Sequence, residues 1–290
     1  MVTTADISKL RTMTGAGMMD CKKALDEASR DLDKAAEILR KKGIVKAAKR
    51  ADKTASEGMV NVVAEGNVAV ALEVNSETDF VAKNDDFKEI VKNLTGLVLK
   101  NKPDSTEAIM SQTTEDGSTV EDYLTSAAVK IGEKINLRRL VVLEKTDDEV
   151  FGAYVHMGGK IGTLVVLEGC KDEELARDIA MHAAAAAPKY LNREQVPAEV
   201  IDKEKEVYTE QLKQQGKPEN IIENILKGKI NKFYEEVCLI DQMYIKDDKK
   251  KISELLSEGA SIKEFVRFEL GEGLEKKSTD FAAEVQEQLD

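Results

Sequence analysis

Side chains suited to covalent chemistry are sparse in this chain. Its two histidines, His156 and His182, lie far apart, and neither has a serine or cysteine nucleophile motif beside it. Nucleophilic catalysis needs a base within hydrogen-bond reach of its nucleophile. Each histidine therefore reads first as part of its own element, His156 in a strand and His182 in an alanine-rich helix. Three cysteines, Cys21, Cys170 and Cys238, are scattered without a CxxC or Cys/His spacing. They indicate neither a zinc site nor a disulfide framework, and free thiols suit a reducing cytosol. Gly158-Gly159-Lys160-Ile161-Gly162-Thr163 has the composition of a phosphate loop but not its GxxxxGK(S/T) spacing, and no helix opens after it. It reads as a hairpin turn. The many carboxylates follow no recognisable spacing for a metal cage. No cofactor or small-molecule substrate is expected. What remains is recognition. Thr78-Asp79-Phe80-Val81 sets an acid beside a large aromatic, after a short apolar strand and before a helix that begins near Asp85 or Asp86. Loops displayed by a rigid scaffold are where recognition residues concentrate. Two readings stand. Phe80 could turn into the core with Asp79 capping the next helix, or the pair could face outward as a binding element.

Composition narrows the partners. The 290 residues are enough for two or more domains. Charged residues make up 34% and the net charge is -12. Nucleic acid and anionic membranes would repel such a chain outside a local basic patch. Between Arg40 and Lys53 stand seven Lys or Arg, but without interleaved aromatics, so a solvated helix or linker face is the default and nucleic acid is not the expected partner. No apolar run approaches bilayer-spanning length, and the N-terminus opens directly on a helical pattern. A soluble, cytoplasmic protein is expected, with no membrane partner.

The elements that must position Asp79 and Phe80 read as follows. Three short helices, Thr4 to Met13, Met18 to Ala28 and Leu32 to Lys42, are separated by Thr14-Gly15-Ala16-Gly17 and stopped at Gly43. They predict a docking bundle over 1–46, similar to a ubiquitin-associated domain, with Met18 on the apolar side of its helix. A tether spans 47–56. Val60 to Val63, the turn Glu65-Gly66-Asn67 and the strict alternation Val68, Val70, Leu72, Val74 predict a β-hairpin. Helices at 86–100 and 119–131 and a strand at 137–144 complete a first core subdomain, 57–145. The pattern then repeats. Phe151 to His156 and Ile161 to Glu168 form a second hairpin, a helix follows over 172–187, and a late strand lies at 264–270. The second core subdomain is thus 146–190 with 237–270. Between its parts, 191–236 reads as two charged helices joined at Gly216-Lys217-Pro218, an antiparallel arm. Residues 271–290 read as an amphipathic C-terminal helix module with Leu274, Phe281, Val285 and Leu289. The fold class is α+β: an N-terminal three-helix bundle, a duplicated antiparallel-sheet core with helices, an inserted helical hairpin and a C-terminal helix.

Two stretches resemble the signatures of bacterial elongation factor Ts, a family of guanine-nucleotide exchange factors for elongation factor Tu. One is Glu73-Val74-Asn75-Ser76-Glu77-Thr78-Asp79-Phe80-Val81-Ala82-Lys83. The other is Leu10-Arg11-Thr12-Met13-Thr14-Gly15-Ala16-Gly17-Met18-Met19-Asp20-Cys21-Lys22-Lys23-Ala24-Leu25. They stand in the family's order, and the likeness continues through His156, Met181-His182 and Gly271-Glu272-Gly273. The resemblance implies a non-enzymatic protein whose partner is elongation factor Tu. Phe80 would wedge between two helices of the partner's GTPase domain, with Thr78, Asp79 and Val81 beside it, disturbing the Mg2+ and phosphate site. It also implies contacts at Arg11, Met18, Met19 and Lys22, at Ile131 and Gly132, and at His156 and His182. The arm is an optional insertion in this family, and whether it pairs with a second copy or touches the partner stays open. The rival expectation is a non-catalytic adaptor whose bundle binds another factor. The exchange reading requires Phe80 to be exposed.

Overall fold

In the computed structural model, residues 2–50 and 52–274 are described. Helices α1 (Thr4–Thr14), α2 (Met18–Glu27) and α3 (Leu32–Lys49) come first. The hairpin β1 (Glu57–Glu65) and β2 (Val68–Ser76) is followed by α4 (Asp79–Lys83), α5 (Asp85–Asn101), α6 (Thr106–Met110), α7 (Val120–Ile131) and β3 (Asn136–Glu144). The second hairpin, β4 (Glu149–His156) and β5 (Ile161–Glu168), leads to α8 (Glu173–Ala186). Then come α9 (Ala198–Gln214), α10 (Glu219–Val237), the short strands β6 (Met243–Tyr244) and β7 (Asp247–Lys251), and finally β8 (Ser261–Glu269). Strand order is β1-β2-β3 in one sheet and β4-β5-β8 in the other. Each hairpin contributes its second strand to the centre of a three-stranded sheet. Two compact units divide the chain. One takes the chain up to Asn61, Leu72–Val142 and the chain from Glu269; the other takes Val62–Ala71 and Leu143–Phe268.

Local chemistry explains these elements. Thr3 and Asp6 form a reciprocal capping box at the start of α1, and Gly15, in the left-handed region at φ 66°, ends it. Leu10, Cys21, Ala24, Leu25, Ala35 and Leu39 fill the small core of the bundle. The expected stop at Gly43 is not a stop, and α3 runs on to Lys49, through the start of the expected tether. A Cβ at Gly43 would lie 2.7 Å from Val129 Cγ2 on α7. This glycine serves close helix packing rather than termination. All nine residues of β2 are buried, as fits a central strand. Against the sheet, α5 buries Phe87, Ile90, Val91, Leu94 and Val98, and Asn61 on β1 donates to Thr95 Oγ1 at 2.9 Å.

In the second unit β4 and β5 pair antiparallel in continuous register from Glu149↔Glu168 to His156↔Ile161. A Cβ at Gly152 would sit 2.0 Å from Ala176 O, so only glycine lets α8 lie this close to β4. Val165, Leu167, Ala176, Ile179, Ala180, Ala183, Leu239 and Ile252 form the core there. The arm helices α9 and α10 root in a small cluster of Val196, Ile201, Val237 and Cys238, and bury Leu212 and Ile222 further out. The sequence reading missed α6 and the β6–β7 ribbon, each too short or too charged to show a period. The C-terminal helix expected over 271–290 falls almost entirely outside the described residues, which end at Leu274.

Candidate partner-binding site

The stretch expected as a loop is a one-turn helix, α4, and it displays its aromatic. Phe80 is 80% exposed. Thr78 caps α4, its hydroxyl accepting the Val81 N–H at 3.3 Å. Asn84 caps α5 by accepting the Asp86 N–H at 3.0 Å. Asp79 is therefore not the cap of the next helix; it sits in the first turn of α4 and pairs with Lys83 at 2.6 Å, one turn on. The acid favours the positive end of the helix and the lysine the negative end.

No side chain of α4 is fully buried and its apolar Val81 and Ala82 are only half-buried, so packing holds it weakly. Its N-terminal side is held by Glu133, which follows Ile131 and Gly132 at the end of α7. Glu133 Oε2 accepts the N–H groups of Glu77 at 3.1 Å and Thr78 at 3.0 Å, and Oε1 accepts the Thr78 hydroxyl at 2.7 Å. Glu77 returns the bond, its Oε1 accepting the Lys134 N–H at 2.6 Å, and Arg50 pairs with the same carboxylate at 2.9 Å. Gly132, exposed at φ 86°, is the left-handed C-cap that turns the chain out of α7. Ile131 beside it is half-buried. Glu77 and Glu133 were not singled out in the sequence, because the clamp joins positions far apart in the chain and carboxylates are abundant.

The same helix α7 also seats the bundle. Gly15 lies against the Lys130 stem, Gly43 against Val129, and Arg40 pairs with Asp122 at 3.3 Å. On the bundle, Arg11 and Lys22 are exposed, and Met18 and Met19 are 60% and 64% exposed. The expected inward place for Met18 is not observed. Cys21, Ala24 and Leu25 supply the buried face of α2, and the apolar stripe runs out at its first turn. Met13 is likewise exposed, and the sequence reading did not select it.

In the second unit, half-buried His156 ends β4 with Nδ1 3.0 Å from the Tyr154 hydroxyl, next to exposed Met157. His182 is different. It has no exposed surface, and the contact expected there is corrected to an interior role. Gln242 spends its amide N–H groups on the carbonyls of Ala186 and Glu236. Its Oε1 thus accepts from His182 Nε2 at 3.0 Å, while His182 Nδ1 accepts the Ile245 N–H at 3.3 Å. Burial pushes the imidazole pKa below its ordinary value, partly offset by the Gln242 bond. Both ring positions are used by the neutral form.

The root of the C-terminal segment is tied by a buried charge. Glu73 on β2 has no exposed side-chain surface and pairs with Arg138 at 3.0 Å and Arg139 at 2.6 Å. It also accepts the Gly271 N–H at 2.9 Å. Arg138 reaches the Glu272 carbonyl, and Arg139 the Glu269 carbonyl at 2.8 Å. Burial raises the Glu73 pKa, but the Gly271 N–H, Asn75, Arg139 and Arg138 outweigh it and hold the carboxyl below its ordinary value.

Among the described residues no group of three or more His, Cys, Asp or Glu side chains is placed to hold a metal ion. No helix among them is long and apolar enough to cross a membrane. A groove of about 530 Å³ beside α5, lined by Lys92, Asn93, Leu97, Asp116 and Tyr123, includes none of the candidate residues. The family model described as Elongation factor TS matches residues 77–272. The match begins at the clamp residue Glu77 and ends at Glu272, and it covers about two thirds of the chain.

Proposed function

The chain belongs to the elongation factor Ts family, non-catalytic proteins of translation elongation that promote nucleotide exchange on elongation factor Tu; we propose that this chain does so by presenting Asp79 and Phe80 to the GTPase domain of its partner. The observation that carries the reading is an aromatic ring 80% exposed at the first turn of a clamped, one-turn helix. Exposing a phenylalanine forgoes roughly 1.5–3 kcal/mol of burial. That energy becomes available when the ring enters a cleft on another protein.

An exchange factor works by preferring the nucleotide-free partner over the GDP-bound one. Coupling is reciprocal, so whatever the factor takes from GDP affinity, GDP takes from the factor's. A tenfold shift needs about 1.4 kcal/mol. Burying Phe80 only in the nucleotide-free state therefore supplies roughly ten- to hundredfold. GDP phosphates are held by Mg2+ and a phosphate loop. Phe80 and Asp79, with Thr78 and Val81 shaping the turn, act by displacing the helices that support that metal. Ile131 and Gly132 stand against the same side of the partner. Arg11, Met18, Met19, Lys22 and His156 add contact area that strengthens binding without loosening GDP. His182 has no place in this contact. The arm offers exposed Val207 and Ile221, to a second copy of the chain or to the partner. The cytoplasm, where translation runs, is the compartment this reading assigns.

The test is the rate of fluorescent GDP release from elongation factor Tu, measured against factor concentration. Wild type should accelerate release strongly, and Phe80→Ala should lose roughly ten- to hundredfold of the plateau rate. Full acceleration by the variant would move the cause of exchange to other contacts. No acceleration by wild type would remove the exchange function.

A further inference from the structure

We propose that Glu133 is a positioning residue for exchange, acting by holding the helix that carries Phe80. The inference rests on the exchange reading above. A single helical turn is not stable by itself, because nucleation fixes several dihedrals for one hydrogen bond. Buried surface gives α4 little support, since none of its residues is fully buried and only Asp79, Val81 and Ala82 are half-buried. Much of its geometry therefore comes from its ends. At the N-terminal end both oxygens of one carboxylate are filled by three donors, the Glu77 N–H, the Thr78 N–H and the Thr78 hydroxyl. Two of these are backbone groups, so Glu133 fixes the path of the chain into α4, not only a side chain.

The clamp is reciprocal. Glu77 accepts the N–H of Lys134, the residue after Glu133. Each turn thus supplies the acceptor for the other's backbone, and neither can swing out without unpairing both. Arg50, from just beyond α3, pairs with Glu77 at 2.9 Å and offsets one of the two neighbouring negative charges. Glu133 is half-buried with its oxygens aimed at residues 77 and 78. It is committed to the turn and is not offered to a partner. A ring presented in the productive direction only part of the time lowers apparent performance by that fraction. Glu133 keeps the fraction near one.

Full-length Glu133→Ala is expected to lower the plateau rate of GDP release from elongation factor Tu about tenfold, the effect of a lost charged hydrogen bond. Amide hydrogen exchange at Thr78 and Val81 should speed up by about the same factor. Glu133→Gln keeps one acceptor oxygen and should fall between wild type and Glu133→Ala. The decisive signature is non-additivity: in a Phe80→Ala background, Glu133→Ala should cost nothing further. A merely structural role would lower the rate equally in both backgrounds, and that result overturns the proposal. So does an unchanged rate in folded Glu133→Ala while Phe80→Ala slows release. If Phe80→Ala leaves release unchanged, the Phe80 mechanism itself fails, and that failure is visible without any Glu133 variant. Should Glu133→Ala not fold, Thr78→Val removes one donor of the clamp together with the cap of α4 and should slow release about threefold. An unchanged rate in that variant overturns the proposal equally.

Discussion

The two sheets follow one plan with opposite uses of the joint between hairpin and helix. After β2 the first half inserts α4, exposes Phe80 and binds the turn to Glu133. After β5 the second half passes through Gly169 to Asp172 straight into α8, whose N-terminus Asp172 caps through the Leu175 N–H at 3.0 Å. Its notable ring, His182, is buried and fully bonded. The central strands differ as well. Near the end of β2, Glu73 is a buried charge tied to two arginines, whereas Glu168 at the end of β5 is exposed and accepts the Ser261 hydroxyl. The first half holds polar groups in place to display a ring. The second half uses similar elements to close a core. The difference lies in what is grafted onto a shared plan, not in the plan itself.

That contrast breaks or sharpens under substitution. The largest effect is expected at Glu73→Ala, which removes the buried acceptor shared by Arg138, Arg139 and the Gly271 N–H. It should cost about 3–5 kcal/mol of unfolding free energy in urea. A loss below about 1 kcal/mol, within the range of an exposed ion pair, would show that the charge knot does not hold the first half. His182→Ala should cost about 2–3 kcal/mol, through a cavity and the unpaired Gln242 and Ile245 groups, while the GDP-release plateau of the folded variant stays at the wild-type value. A specific loss of release at full stability would return His182 to the contact surface. Phe80→Ala should do the opposite, changing stability by less than about 0.5 kcal/mol in a thermal melt while lowering release.

The smallest effect is a pH dependence. His182 is neutral in the fold with its pKa lowered by burial, so the unfolded chain takes up a proton first, near the ordinary value of 6.5. The stability contributed by the neutral ring is complete above that pH. It falls by up to about 1.4 kcal/mol per pH unit as pH drops toward the folded-state pKa. Urea midpoints compared at pH 7 and pH 5.5 should show the loss in wild type, and His182→Asn should flatten it. An equal slope in both would assign the dependence to other groups.

Much of this scaffold is written in local periodicity. Alternation in Val68 to Val74 gave the hairpin, and the stripe Phe87, Ile90, Val91, Leu94, Val98 gave α5, because each period maps one face onto the core. Gly43 misled because a helical glycine reads as a stop unless its neighbour, here Val129, is known. The five residues of α4 are too few for any period, and composition alone left the direction of Phe80 undecided. Glu133 and Gln242 were invisible for another reason. Each acts on a residue more than fifty positions away, and one carboxylate among 55 has no local mark.

The most direct test of the central claim is the linkage itself. Calorimetric affinities of this protein for elongation factor Tu should be measured with and without saturating GDP, for wild type and Phe80→Ala. Wild type should bind the nucleotide-free partner far more tightly than the GDP-bound one. In the variant that ratio should shrink by roughly ten- to hundredfold, because burial of the ring in one state alone is lost. A ratio unchanged by Phe80→Ala would contradict the account, since a ring that contributes equally to both states cannot drive exchange.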